Sequence, residues 1–282
     1  MKLAGIVTLY HPDKEVKKNV ESYLCQVEKL YVIDNTEEIE NHEVLPKSDK
    51  ILYVPNHDNL GVAKALNMGA EMARNEGFEW LLTMDQDSRF ENGTLESLIK
   101  YLEDHPSEPI GLITPWHNTK SGAVKPKLAV EEVMEVMTSG NIINLKAHQE
   151  IGGFKEWLFI DSIDIEYGMN LNKHHYKVIR LNNVELEHEL GDIKIKHVLG
   201  RNLVCSNHNY IRRYYIVRNI NYVYAMYHDD FPEYCEFIRN GLKGAFRNVL
   251  VFEKDKYRKI RNMYRGYRDF KRGIKGKYAY KN

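Results

Sequence analysis

Four short apolar runs, over residues 3–9, 30–33, 51–54 and 79–84, each stop abruptly at polar side chains. Between them lie stretches with helical spacing. One could be capped by Asp13 and runs to about Gln26; another covers 61–74, where Val62, Ala65, Leu66, Met68 and Met72 interleave with polar residues. Buried strands alternating with amphipathic helices predict βαβ units and an α/β fold, a mostly parallel central sheet flanked by helices. In open sheets of this kind a ligand binds beyond the carboxyl ends of the strands. The polar residues at or near the ends of the four runs, Thr8, Asp34, Asn56 and Asp85, are therefore expected along one edge.

Beyond residue 95 the alternation loosens. A helix is expected to about Glu103, strands over 110–114 and 177–181, a loop over 122–127, a turn at Gly152-Gly153-Phe154 and a helix over 163–172. Past Asn207 the pattern is helical almost to the end. The chain thus divides into a main α/β domain over 1–205 and a helical region over 206–282. Its 282 residues are enough for a full core with an appendage. Forty Lys and Arg balance forty Asp and Glu, which argues against a general nucleic-acid binder, although the C-terminal end is strongly basic. Cys25, Cys205 and Cys235 are widely spaced and form no C-x-x-C pair, as expected of plain thiols in a reducing cytoplasm. The N-terminus runs straight into a strand with no signal peptide, and no apolar run is long enough to span a bilayer.

The sharpest local signal is Asp85-Gln86-Asp87, directly after a strand. Two acids at i and i+2 on a turn offer the oxygen ligands that hard divalent cations prefer. A cation there would offset the charge that a diphosphate leaving group acquires. The same pattern also occurs in solvated loops. Asp164 stands near the start of the 163–172 helix, where the helix dipole favours a carboxylate, and within reach of a hydroxyl it could serve as general base. The competing reading is helix capping, which Asp161 or Ser162 could supply. His188 could complete a carboxylate metal site as a neutral imidazole, though with twelve histidines in the chain most must be surface or structural. Residues 59–69 put Gly and Ala where a helix packs closely on a sheet, and leave Asn59 and Lys64 as binding candidates. Arg213 and Arg218 offer guanidinium forks suited to phosphate, or could equally be packing residues of one helix. No G-x-G-x-x-G follows the first strand and no G-x-x-x-x-G-K-[ST] occurs, which weighs against nicotinamide enzymes and P-loop NTPases.

Taken in order and spacing, these pieces resemble glycosyltransferase family 2, in the GT-A nucleotide-diphospho-sugar transferase fold, and most of all its bacterial rhamnosyltransferase branch. The resemblance covers about residues 3 to 220. It is carried by Val7-Thr8-Leu9-Tyr10-His11-Pro12, Asp34-Asn35, Asn59 with Gly61 and Asn67, Asp85-Gln86-Asp87-Ser88 and Ser139-Gly140-Asn141. Further on it rests on Phe159-Ile160-Asp161 with Asp164 and Glu166, His188 with Gly191-Asp192, and Arg213-Tyr214-Tyr215 with Arg218-Asn219. The resemblance implies that Thr8, with Tyr10 beside it, and Asp34 contact the donor, Asp34 through the base or ribose. It implies that Asp85 and Asp87 are the D-x-D pair, Asp87 the more direct ligand of a Mn or Mg ion, with His188 completing the site. It makes Asp164 the catalytic base, with Asp161 as fallback; the Glu that usually precedes the base is Ile163 here, and a frequent downstream Arg is Asn170. Such enzymes invert the anomeric centre, so a dTDP-β-L-rhamnose donor would give an α-L-rhamnoside; a UDP-sugar is the other donor considered. The acceptor would be a saccharide or lipid-linked saccharide of surface-glycan assembly. The rivals are a sugar-phosphate nucleotidyltransferase, which would carry a Gly- and Arg/Lys-rich loop where Tyr10-His11-Pro12 stands, and a non-catalytic carbohydrate-binding protein.

The tail adds a last expectation. Ile260, Met263, Tyr264, Tyr267, Phe270 and Ile274 recur at three- and four-residue spacing on one helical face, with Arg and Lys around the rest. A basic amphipathic helix of this kind can lie in a membrane interface, at the cytoplasmic face of the cell membrane. The same apolar face could instead pack on the catalytic domain or on a second subunit, as in a homodimer.

Overall fold

The computed structural model describes residues 1–91, 93–118, 125–188, 194–198, 201–205 and 207–280. In chain order the first elements are β1 (Leu3–Leu9), α1 (Glu15–Glu21), β2 (Lys29–Asp34), β3 (Ile51–Pro55), α2 (Val62–Asn75), β4 (Trp80–Asp85), β5 (Ser88–Phe90) and α3 (Thr94–Asp104). Next come β6 (Ile110–Asn118), β7 (Val130–Glu132), β8 (Asn141–Asn144), α4 (Leu145–Glu150), α5 (Ile163–Lys173) and β9 (Lys177–His188). The last elements are β10 (Lys194–Val198), β11 (Arg201–Cys205), α6 (Tyr210–Tyr227), α7 (Pro232–Val251) and α8 (Lys256–Lys271).

The main sheet runs β3-β2-β1-β4-β8-β6-β9-β5, with β7 paired to β9. Its first four strands are parallel, as the alternation predicts. From β8 onward antiparallel pairings enter, so the sheet is mixed. Ala4, Ile6, Val7 and Leu9 of β1 are all buried, as befits a central parallel strand covered on both faces. Gly69 lets α2 lie close on that strand: a Cβ there would come within 2.2 Å of Ile6 Cδ1. The helix after β1 is shorter than expected; the Asp13 carboxylate accepts the Glu15 N–H at 2.9 Å, and the stretch to Gln26 ends in a 3-10 turn.

Two compact units are present. The first comprises Met1–Glu156 and Asp164–Glu189; the second comprises Trp157–Ile163 and Leu190–Asn282. The second therefore begins before residue 205 and takes in the short segment ahead of α5.

Within the second unit, α6 and α8 pack in close register. A Cβ on Gly266 would sit 2.4 Å from the Tyr214 carbonyl oxygen. Met263 joins Val217 and Val249 in a small core, with Ile260 against it, and the Phe270 ring meets Tyr222 edge-on at 5.0 Å. Of the two uses expected for the α8 apolar stripe, packing on protein takes part of it: Met263, Ile260 and Phe270 are turned against the other helices, while Tyr264, Tyr267 and Ile274 stay exposed. Beneath lies a buried charge cluster, in which Glu253 accepts from Arg213 and, at 2.8 Å, from Lys259. Cys235 is buried in α7, while Cys25 is exposed. Among the described residues no helix is long and apolar enough to cross a membrane.

Candidate active site

The sheet register brings the strand-end residues together. Thr8 of β1 stands opposite Ile33 on one side and Asp85 on the other, and Leu9 stands opposite Asp34. Asp34 in turn faces Pro55, one residue before Asn56. The expected edge is thus built by four parallel strands ending in step, which aligns their terminal side chains at one level.

The Asp85-Gln86-Asp87 turn closes this edge, with Asp85 half-buried and Asp87 exposed. Its middle residue braces it. The Gln86 side chain accepts the Tyr10 N–H at 2.8 Å and donates to the Tyr10 carbonyl at 3.3 Å, while Asn19 donates to the Gln86 carbonyl at 2.9 Å. From the other side the Asp85 N–H donates to the buried Ser139 hydroxyl at 3.0 Å, and the Gly140 N–H to the Thr83 carbonyl at 2.7 Å. Beneath the turn the Tyr23 phenol is pushed well above its ordinary range, first by burial and then by the Asp85 charge. The strand after the turn, β5, pairs antiparallel with β9 so that Ser88 faces His188. The backbone of His188 is thereby brought beside the residue that follows Asp87; its imidazole, like Gly191 and Asp192, lies outside the described residues. Among the described residues no group of three or more His, Cys, Asp or Glu converges as a metal shell.

Several expected contacts take another form. Asp34 is only 1% exposed, and both its oxygens are engaged: Oδ1 by the Thr36 N–H at 2.9 Å, Oδ2 by Asn41 at 2.8 Å and the Tyr53 hydroxyl at 2.6 Å. Burial alone would raise its pKa; the hydrogen bonds from Tyr53, Asn41 and Thr36 outweigh that and hold it low. In this structure Asp34 anchors the loop that follows β2, at the end of the strand where the donor contact is expected. Asn59 accepts the Gly61 N–H at 3.0 Å and so turns the chain into α2. Lys64 and Tyr10 are exposed at this end of the first unit's sheet and helices, and Thr8 is half-buried.

Arg213 and Arg218 do not offer forks to a phosphate. Arg213 is buried against Glu253. Arg218 is fully buried, its guanidinium donating to the carbonyls of Gly276 at 2.6 Å, Leu158 at 3.1 Å and Trp157 at 3.2 Å. Beside it, the Asn219 amide donates to the carbonyls of Leu158, Ile160 and Asp161 at 2.8–3.0 Å. These bonds hold a loop in which Phe159, Asp161 and Ser162 all adopt positive φ, a conformation costing side-chain-bearing residues about 1–3 kcal/mol each. Asp161 itself is engaged by Arg212, Nη2 to Oδ1 at 2.5 Å. Asp164 lies in the first turn of α5, half-buried, with one oxygen on the Ile165 N–H at 2.9 Å.

The family model for glycosyl transferase family 2 matches residues 6–168, more than half of the chain. The chain belongs to glycosyl transferase family 2. The match spans β1 through the first turns of α5, and so includes the Asp85-Gln86-Asp87 turn and Asp164. The chain is 25% identical over 234 residues to the dTDP-rhamnosyl transferase RfbF of Shigella flexneri, which covers 76% of this chain and 77% of the relative. Among solved structures it is similar to residues 1–349 of S. aureus TarS in complex with UDP-GlcNAc, with 13% identity, 97% and 93% of the two chains covered and a TM-score of 0.58. It is also similar to GalNAc-T7 with UDP, GalNAc and Mn2+, with 11% identity and a TM-score of 0.55; here the match covers 71% of this chain but only 44% of GalNAc-T7, less than half its length. At these identities the two structures establish the fold, which is GT-A. This family-2 protein is a glycosyltransferase.

Proposed function

We propose that the protein transfers L-rhamnose, with inversion, from dTDP-β-L-rhamnose to a saccharide or lipid-linked saccharide acceptor in surface-glycan assembly. The observation that carries the reading is the strand-end alignment of Thr8, Asp85 and the Asp87 turn at one edge of the sheet, in a family-2 chain related to a dTDP-rhamnosyl transferase. The choice of rhamnose rests on that relative.

The donor set suits a hard divalent cation, Mn2+ or Mg2+: an exposed carboxylate and a half-buried one, two residues apart on a braced turn. Asp87 and Asp85 would hold the ion, with His188 beside them. When bound, such an ion neutralises charge on a departing diphosphate. Two protein carboxylates with phosphate oxygens and water make the shell that such ions commonly adopt.

In the transfer the acceptor oxygen forms its bond to the sugar C1 on the face opposite the diphosphate. The C1–O bond to phosphate breaks, and dTDP leaves with the electron pair. The acceptor proton goes to Asp164, a half-buried carboxylate in the first turn of α5. Asp161, the fallback base, is ion-paired with Arg212 and so is already engaged in holding its own loop. Asp164→Asn should lower kcat about 10²–10⁴-fold with donor affinity retained, whereas Asp161→Asn should act mainly on stability. Steady-state kinetics paired with donor-binding titration test this; the reverse order of kcat losses would move the base to Asp161.

A further inference from the structure

The second unit carries an apolar and cationic face that its own packing does not use. Helix α7 spends Cys235, Ile238 and Val249 on the interior, and these are buried. Its other side still exposes Phe237 at 68%, Phe246 at 41%, Leu250 at 44% and Val251 at 57%. Scattered exposed apolar residues are ordinary, but four on one helix of 20 residues, beyond its packed stripe, form a patch.

Charge lies in the same patch. Arg239, Lys243 and Arg247 recur every fourth residue and so line up on the outward side, between Phe246 and Leu250 on one flank and Phe237 and Val251 on the other. Arg239 is held there over the Tyr224 ring at 4.5 Å and pairs with Glu236 at 3.6 Å, so the cationic part of the row is centred on Lys243 and Arg247. Gly241 and Gly244 have nothing within 4 Å of a built Cβ, so the space beside these two positions is open. Residues 232–282 hold fifteen Lys and Arg against five Asp and Glu, in a chain whose formal net charge is zero. Glu253 and Asp269 are buried, and so is one of the cations, Lys259.

We infer that this face of α7 seats the protein on an anionic phospholipid bilayer. A helix with aromatic and aliphatic side chains flanking a cationic row is suited to the headgroup–acyl boundary: the rings and Leu250 enter the apolar layer while Lys and Arg meet lipid phosphates. The alternatives fit the chemistry less well. Two copies of so cationic a face repel one another. A nucleic acid would use the cations but gives Leu250 and Val251 nothing to pack on. The inference does not depend on which sugar is transferred.

The test is co-sedimentation of the full chain with phosphatidylcholine vesicles, with and without phosphatidylglycerol. Two double variants, Phe246→Glu with Leu250→Glu and Lys243→Glu with Arg247→Glu, change only outward-facing side chains and should keep the parent melting temperature. Binding should require phosphatidylglycerol, weaken with salt and fall about tenfold or more in each double variant. Failure of the parent to bind, or double variants that bind as it does, would overturn the assignment. So would release of the parent by soluble glycerol phosphate, which would mean an anion site rather than a bilayer surface. A lipid-free dimer that the same variants dissolve would make the face a subunit interface instead.

Discussion

Asp87 is exposed on a turn that other side chains hold in place, so its substitution separates chemistry from folding. Asp87→Ala should leave the melting temperature within a degree or two but weaken donor binding and bring transfer close to background, as titration calorimetry and turnover would record. A parent-like rate would put the metal site elsewhere. His148 gives a prediction of another kind. It is buried beside Phe154, with Nδ1 3.1 Å from the Tyr167 hydroxyl, and burial, with Arg74 and Lys155 adding, pushes its pKa down to about 4. An imidazole depressed below its unfolded value of about 6.5 contributes stability above that pH and loses it as pH falls towards the folded value. Urea midpoints should therefore drop between about pH 6.5 and 4, by up to roughly 3 kcal/mol in stability, and His148→Gln should flatten that slope. An unchanged slope would mean the imidazole is not neutral inside. At this scale the sequence exposes polar identity but not burial. Arg213 and Arg218 read equally as phosphate forks or as packing residues, because sequence does not say whether an arginine on a helix is solvated. What buries them is Glu253, forty residues on, and the carbonyls of 157–158, neither of which local spacing reveals.

Among the elements, the legible ones are those whose ends coincide with a change in polarity. Strands β1 to β4 each stop where an apolar run meets a polar residue, and their parallel pairing follows from the intervening helices. The three-residue strands β5 and β7 are too short to show an alternation, and the run of β9 out to His188 passes through Asn182, Asn183 and Glu185, which carry no strand pattern. Asp85 and Asp87 were visible as a motif, while Gln86, which ties their turn to Tyr10, reads only as a spacer until the backbone is placed. Gln86→Ala should accordingly raise donor KM with little loss of stability, since the turn keeps its ladder but loses its brace to β1. In the second unit the helical pattern was plain but its partner was not: α8 spends its apolar stripe on α6. Glu253→Gln leaves Arg213 and Lys259 without a compensating charge and should cost about 3–5 kcal/mol in chemical denaturation. Gly266→Ala should cost roughly 1–3 kcal/mol, because the added Cβ meets the Tyr214 carbonyl, a backbone atom that cannot swing away. Near-wild-type stability in both would mean that α6 and α8 are not packed as described.

The whole molecule joins a GT-A sheet unit to a basic helical unit, and the family match ends at residue 168. The shared half explains why the chain is a glycosyltransferase; the remainder is where one such protein can differ from another, and the cationic face of α7 lies there. Donor binding should report on the first half alone. A nucleotide-sugar present at a hundred times its Kd should stabilise the fold by about 2.7 kcal/mol, and at equal concentrations a dTDP-sugar should give a larger shift than a UDP-sugar. The most direct measurement follows the nucleotide. With dTDP-β-L-rhamnose and Mn2+ or Mg2+, the parent should release dTDP and no inorganic diphosphate, slowly to water and faster when a saccharide acceptor is supplied, and Asp87→Ala should bring the rate to background. Release of inorganic diphosphate, no turnover of any dTDP- or UDP-sugar, or an undiminished rate in Asp87→Ala would contradict a sugar transferase working at the Asp85–Asp87 turn.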